Sequence, residues 1–321
     1  MGQRLAGKVA IVTGGAGSIG REHSLLFAKE GARVVVNDLG LAAVGDGQKA
    51  SAERVVEEIR QAGGEAIASS ASAATFAGAE EIVQQAVEAF GTVDILVNNA
   101  TSGGINDIWR FTEKQFDQTV NSNFKGYFAM MKYAVPYMCR QGSGVIVNTS
   151  SGSGFGHPSN SVYAAAKEAL IGLTRTAARE LGRFGVRCNA IRPSAASFTA
   201  LNSYQELTAR WSDLMAITMR PKGAPPESSN ASFDPDARAP RKVSPFVVWL
   251  CTDAARNVNG RSFHVYGDFV ARYSEPEDER IIYAAGGWDL DALDAAASQL
   301  TSDLTNDYTL DEYPALKVFE E

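Results

Sequence analysis

Lys8-Val9-Ala10-Ile11-Val12-Thr13-Gly14-Gly15-Ala16-Gly17-Ser18-Ile19-Gly20 sets a β-branched run against a glycine-rich turn, and a helical pattern opens on the turn's last residues. Lys8 to Thr13 reads as a strand, and Ile19 to Gly31 as a helix ending on a glycine. A glycine-rich turn between strand and helix lets backbone approach a pyrophosphate, whose charge the helix N-terminus favours. An acid, Asp38, stands 18 residues beyond Gly20. Strand, turn, helix and acid in this order make the turn a candidate phosphate site rather than a mere connection.

Outward from this unit the same alternation continues. Arg33 to Asn37 reads as a strand, Ala50 to Ala62 as a helix, Ala66 to Ser69 as a weak strand, Ala79 to Phe90 as a helix and Val93 to Val97 as a fourth strand. A long helix over Lys114 to Met138, a strand over Gly144 to Asn148, a helix over Val162 to Phe184 and a strand over Val186 to Ile191 follow. Strands separated by crossover helices predict a parallel, twisted sheet with ligands at the carboxyl ends of its strands. The expected fold is α/β, a Rossmann-like doubly wound sheet. Asp38 at the end of the second strand can accept both ribose hydroxyls of NAD and would repel the extra phosphate of NADP. Neither Leu39 nor Gly40 offers a cation for such a phosphate, so NAD is the expected cofactor.

The 321 residues suit one large α/β domain with extensions, and 45% hydrophobic with 21% charged residues is ordinary for a globular enzyme. No apolar run is long enough to span a bilayer. The first residues run into the strand pattern without a signal-peptide core, and the chain ends in Phe-Glu-Glu rather than Ser-Lys-Leu, so a cytoplasmic location is expected. Cys139, Cys188 and Cys251 are isolated, and His23, His157 and His264 are scattered, so no metal site or disulfide framework is expected. The net charge of −7 belongs to the tail, where Tyr266 to Glu321 holds 14 acids against 3 bases. No basic stripe stands out to neutralise phosphates, which argues against a nucleic-acid partner.

Tyr163-Ala-Ala-Ala-Lys167, with Ser151 twelve residues before Tyr163, reads as proton-transfer machinery. Four residues apart on a helix, lysine and tyrosine share a face, and the ammonium favours the phenolate. A nearby serine hydroxyl can polarise a carbonyl whose oxygen exchanges a proton with the tyrosine. Tyr313-Pro-Ala-Leu-Lys317 copies the spacing but lacks a preceding serine-bearing strand, and Pro314 restricts any helix there to a first turn.

With these residues in order, the chain resembles the classical short-chain dehydrogenases/reductases over roughly Leu5 to Val265. The resemblance rests on Thr13-Gly14 through Gly20, Asn98-Asn99-Ala100, Asn123, Ser151, Tyr163 and Lys167. Within the family, Val34-Val-Val-Asn-Asp-Leu-Gly40 and Val247-Val-Trp-Leu250, with a long glycine-containing insert before Val55, look like the 3-hydroxyacyl-CoA dehydrogenase part of the peroxisomal multifunctional enzyme and its bacterial single-domain relatives. The resemblance implies Tyr163 as general acid/base, Lys167 as the cation that lowers its pKa and binds the nicotinamide ribose, Ser151 as the group orienting substrate oxygen, and Asn123 as holder of a relay water. It further implies cofactor contacts at Gly14, Gly17, Ser18, Ile19 and Gly20, at Asp38 and Ser72, at Asn99 and Ala100, and at Tyr163, Lys167 and Pro193. Aligning Val145-Ile146-Val147 without a gap selects Ser151 for the serine role, whereas the commoner count back from Tyr163 selects Ser150.

Four positions depart from the family pattern: Ser18 and Ser194 stand where glycine is usual, Ser72 where an aspartate commonly faces adenine, and Thr101 where a glycine follows Asn98-Asn99-Ala100. Ser72 is expected to weaken adenine binding, and Thr101 and Ser194 to narrow the pocket. Substrate recognition is expected from Ser102 to Trp109, from Gly152 to Val162 including Phe155 and His157, and from a lid within Ser194 to Ser244 carrying Phe198, Trp211, Leu214, Met215 and Met219. Those apolar side chains either pack in the core or line the pocket, and in the second case the substrate is largely apolar; the resemblance implies a secondary alcohol or ketone, on a 3-hydroxyacyl thioester, a steroid or an alicyclic alcohol. Arg210, Arg220 and Lys222 offer cations to a CoA phosphate. Two other readings stand beside it, an NADPH-dependent ketoreductase and a nucleotide-binding regulatory protein without turnover. The expected organisation is a dehydrogenase domain over 1–265, with the lid at 194–244, then an acidic, partly helical extension over 266–321 in which Asp289 caps a helix bearing Leu290, Leu293, Ala297, Leu300 and Leu304. A homodimer or homotetramer is expected by resemblance, pairing the helices Lys114 to Met138 and Val162 to Phe184.

Overall fold

A computed structural model provides the structure, which describes residues 2–41, 51–195 and 238–304. Two compact units are present, Met1–Tyr273 and Ser274–Glu321. In the first, strands β1 (Val9–Thr13), β2 (Arg33–Asn37), β3 (Glu65–Ser69), β4 (Ile95–Asn98), β5 (Gly144–Thr149), β6 (Val186–Pro193), β7 (Ser262–Tyr266) and β8 (Phe269–Arg272) form one sheet. Its order is β3-β2-β1-β4-β5-β6-β7-β8, parallel throughout except for β8, which turns back antiparallel on β7. The order reverses between β1 and β4, so their carboxyl ends open a crevice at the glycine-rich turn.

Period-two alternation divides the sheet's apolar residues between two cores. Ala10, Val12, Val34, Val36, Ile95 and Val97 face one, whereas Val9, Ile11, Val35 and Leu96 face the other. The first face is covered by α1 (Ser18–Lys29), α2 (Ala52–Gln61) and a later helix, Ser244–Leu250; the second by α3 (Phe76–Phe90), α5 (Gly126–Gln141) and α6 (Ser161–Leu181), with α4 (Glu113–Val120) packed against α6. We designate Ser244–Leu250 α7. Local chemistry sets the ends. Ser51 caps α2 through the Arg54 N–H, Thr75 caps α3 through Gly78, and Thr112 with Gln115 forms a capping box at α4.

The single helix expected over Lys114 to Met138 is instead α4 and α5 joined by a π-helical turn, Asn121–Lys125. An extra residue in the ladder is what a π turn accommodates, and such turns often mark functional sites. This one carries Asn123, which is fully buried. The sheet also extends past the sixth expected strand by β7 and β8. The expected lid residues Phe198, Arg210, Trp211, Leu214, Met215, Met219, Arg220 and Lys222, and the pair Tyr313 and Lys317, lie outside the described residues.

The second unit, taken alone, contains α8 (Leu290–Ala296) and α9 (Ser298–Thr301). Asp289 caps α8 by accepting the Ala292 N–H at 2.7 Å, as its sequence suggests. Arg280 pairs with Asp303 at 2.9 Å, and Leu290, Leu293 and Leu304 are exposed. Among the described residues no helix is long and apolar enough to cross a membrane, and no group of three His, Cys, Asp or Glu side chains is gathered to hold a metal.

Candidate active site

The carboxyl ends of β1 and β4 are tied together by Thr13. Its hydroxyl accepts the backbone N–H groups of Asn99 at 2.9 Å and Ala100 at 3.1 Å, while the Asn99 amide donates to the Thr13 carbonyl at 3.1 Å. The glycine-rich turn is thereby pressed against the residues following β4. Gly14 takes a φ of +62°, and a side chain there would meet the Ala100 Cα at 2.9 Å. At Gly20 a Cβ would lie 1.9 Å from the Gly14 carbonyl oxygen, so the helix can start this close to the strand only on glycine. Gly17 is different: its Cβ would make only an ordinary 3.5 Å contact, leaving that side of the turn open. Ser18 begins α1 and Ile19 packs against the core behind the turn.

Asp38 follows β2 with its carboxylate directed to this turn. It accepts the Ala16 N–H at 3.1 Å through Oδ2 and the Gly40 N–H at 2.9 Å through Oδ1, so each oxygen has one protein donor and spare acceptor capacity. Asn37 beside it reaches the β3 end, donating to the Ala71 carbonyl at 2.8 Å, one residue before Ser72. Pro193 ends β6 and pairs with Val265 of β7. The cofactor-site residues expected from sequence therefore line one edge, the carboxyl ends of β1 to β4 and β6. A glycine cradle open at Gly17 and a half-buried carboxylate at the β2 end fit a dinucleotide.

The second cluster lies past β5 and on α6. Lys167 is 1% exposed, with its ammonium donating to the Thr149 carbonyl at 2.8 Å and to the Tyr127 hydroxyl at 3.1 Å. It stands 5.4 Å from the centroid of the Tyr163 ring. Burial pulls its pKa down to about 7. Burial pushes Tyr163 up, opposed by hydrogen bonds with the hydroxyls of Thr101 and Ser151. The downward pull on the phenol thus comes from hydroxyls, an addition to the role expected of Lys167.

Ser150 and Ser151 are separated by what they bond. The Ser150 hydroxyl is buried and donates to the Lys167 carbonyl at 2.7 Å, whereas Ser151 faces Tyr163 and also accepts the Ser153 N–H at 3.1 Å. The gap-free alignment of β5 selects the serine that meets the phenol. Asn123 joins the cluster through Thr101, whose hydroxyl donates to the Asn123 Oδ1 at 2.5 Å; its amide donates to the Thr119 carbonyl at 2.8 Å and to Ser102. Thr101, whose side chain stands where a glycine is usual, links Asn123 to Tyr163.

Residues to which the sequence assigned no role complete the frame. Asn98 donates to Asn148 at 3.0 Å, and Asn148 to Thr174 at 3.0 Å, a buried polar line from β4 through β5 to α6. Arg192, also buried, donates to the Ser151 carbonyl at 2.9 Å and to Glu168 at 2.7 Å, and its guanidinium stacks 4.2 Å from the Phe155 ring centroid. Only the Asn and Arg residue types in otherwise apolar strands hinted at these contacts.

The family model for the short chain dehydrogenase family matches residues 8–209. The chain belongs to this family. Peroxisomal multifunctional enzyme type 2 of Drosophila melanogaster is 45% identical over 196 residues, 60% of this chain but only 32% of that protein. The 3-oxoacyl-[acyl-carrier-protein] reductase FabG of Staphylococcus epidermidis is 35% identical over 263 residues, 81% of this chain and 98% of the reductase. A crystal structure of a short chain dehydrogenase from Mycobacterium avium superposes with a TM-score of 0.74 at 38% identity, covering 92% of this chain and 96% of that one. As a short-chain dehydrogenase the protein is an oxidoreductase, and its fold suits a dinucleotide cofactor, NAD or NADP.

Proposed function

We propose that this short-chain dehydrogenase interconverts a secondary alcohol and a ketone on a bulky, mostly apolar molecule, with NAD as cofactor. The observation that carries the reaction type is the single constellation of Ser151, Tyr163 and Lys167 at the carboxyl end of β5. The bound nicotinamide would supply the hydride acceptor or donor. Tyr163 would take the hydroxyl proton in the oxidative direction and return it in the reductive one, and Ser151 would donate a hydrogen bond to the same oxygen. Lys167 would stabilise the phenolate by its charge, which a dry site makes effective. Asn123, tied to Tyr163 through Thr101, would hold the far end of that network.

The preference for NAD rests on Asp38, whose carboxylate has acceptor capacity for ribose hydroxyls and no neighbouring cation at Leu39 or Gly40 to hold a 2′-phosphate. An apolar substrate is supported by Ile108, Trp109 and Phe155, exposed on the two loops that Asn106 and Ser159 join by a 2.9 Å backbone hydrogen bond. The match to a 3-oxoacyl-[acyl-carrier-protein] reductase supports a 3-oxoacyl or 3-hydroxyacyl thioester among the substrate classes. A second reading, an NADPH-dependent ketoreductase, is favoured by the breadth of the match to the 3-oxoacyl reductase. Exposed Phe116 on α4 and Phe128 on α5 support self-association through these helices.

Initial rates with NAD and NADP on hydrophobic secondary alcohols and 3-hydroxyacyl thioesters, and with the reduced cofactors on the matching ketones, test the reading. Turnover is expected with NAD, and Asp38→Ala should weaken NAD by about 10-fold or more, the worth of hydrogen bonds to a charged group, while improving NADP. Efficient NADP turnover by the unaltered enzyme would establish the second reading, and tight nucleotide binding without turnover on any substrate would sink both.

A further inference from the structure

A side chain hydrogen-bonded to the Lys167 ammonium is not among the residues that carry the family resemblance. We propose that Tyr127 is a positioning residue for Lys167, its hydroxyl keeping the ammonium charged and fixed beside Tyr163; this rests on the catalytic reading above. Tyr127 lies on α5, two residues past the π-helical turn, and is 2% exposed. Its O–H donates to the Thr149 carbonyl at 3.2 Å, which commits its proton and turns an oxygen lone pair toward Lys167 Nζ at 3.1 Å. The ammonium also donates to the same Thr149 carbonyl at 2.8 Å and lies 4.8 Å from the Tyr127 ring centroid. Lysine, tyrosine and carbonyl form a closed triangle. Two of the three ammonium donors are thereby given a direction, and the ring face adds a cation–π contact.

The groups around the ammonium come from each element packed there: Tyr163 from α6 itself, Tyr127 from α5, and the Thr149 carbonyl from β5, with neutral Thr101 and Asn123 beyond Tyr163. Glu168, the next residue of α6, is engaged by Arg192. Among the described residues the titratable neighbours are thus two tyrosines. Burial and the nearby Tyr163 raise Tyr127 well above the ordinary phenol value, so it stays neutral throughout the range in which Lys167 titrates and serves as an acceptor rather than as a proton carrier.

Phenolate with ammonium and phenol with neutral amine hold the same number of protons, so whatever stabilises the ammonium raises the fraction of the pair in the form that takes a substrate proton. Losing the Tyr127 oxygen leaves the buried ammonium one acceptor short. Its pKa should then fall further below 7, by about one unit, as expected for loss of a hydrogen bond to a charged group.

The test is Tyr127→Phe in the full chain, followed by lysine side-chain NMR without nucleotide, with Lys167→Met to assign the signal, and by the pH profile of alcohol oxidation. The Lys167 titration and the acid limb of kcat/KM should both move down by about one unit, and kcat should fall about tenfold. KM and nucleotide affinity should stay within about twofold, since the substitution removes a hydrogen bond to the catalytic pair rather than to a ligand. An unchanged lysine titration would overturn the proposal and leave Tyr127 as packing. Tyr127→Gln, which restores an acceptor, should recover the wild-type titration; a lysine shifted equally in Gln and Phe variants also counts against it. If the unaltered enzyme oxidises no alcohol, the catalytic reading fails while the lysine titration still decides whether this contact holds the charge.

Discussion

Tyr163 and Lys167 take opposite shifts from one cause. Burial penalises each group's charged form, raising the phenol and lowering the ammonium to about 7, so without further contacts the proton the pair shares rests on the phenol. The hydroxyls of Thr101 and Ser151 pull the phenol the other way, toward working pH. Tyr163→Phe removes the transferable proton and keeps the ring. Single-turnover and steady-state rates should fall by roughly 10²–10⁴-fold, the usual worth of a positioned acid/base, with nucleotide affinity by titration nearly unchanged. A large loss of nucleotide binding would assign the residue a structural role instead. Ser150 and Ser151 show how little separates a buried backbone tie from a candidate catalytic group. Adjacent strand-end residues point to opposite faces, and only one meets the phenol.

The turn between β1 and α1 is an element whose geometry leaves no room for ordinary side chains. A Cβ at Gly20 would sit 1.9 Å from a backbone oxygen that Asn99 also contacts, so neither neighbour can move without loosening the β1–β4 junction. Gly20→Ala should destabilise the protein by about 3 kcal/mol, at the upper end of overpacking costs, and thermal melting should show it together with loss of nucleotide binding. A stable variant that binds nucleotide normally would contradict the role given to that close approach. The π-helical turn at Asn121–Lys125 places Asn123 beneath the site and starts α5 so that Tyr127 reaches Lys167. Helical periodicity in the sequence runs through this turn without a break, because a one-residue insertion in the ladder leaves no distinct mark on an apolar pattern.

Across the molecule, α1 and α7 are joined by a buried polar pair, His23 Nδ1 with the Ser244 hydroxyl at 2.8 Å, 221 positions apart in sequence. Burial holds the His23 pKa down to about 3, against an ordinary value of 6.5 in the unfolded chain. Between these values the unfolded chain binds the extra proton and the native one does not, so this contribution to stability is full above pH 6.5 and is lost as pH falls toward 3. His23→Gln should therefore move the acid-unfolding midpoint, followed by circular dichroism, to lower pH; an unmoved midpoint would show that other groups govern acid unfolding. What the sequence alone determined here is what local pattern can carry: the parallel α/β sheet from its alternating elements, the glycine cradle and Asp38 from their spacing, and Tyr163 with Lys167 from one helix face. Tertiary structure alone decided which serine meets the phenol, that Thr101 bridges Tyr163 to Asn123, that Arg192 braces the Ser151 loop, and that Tyr127 holds the lysine. Each of those contacts joins residues from different elements, and its energy depends on burial and on distances of about 3 Å that no single stretch of chain encodes.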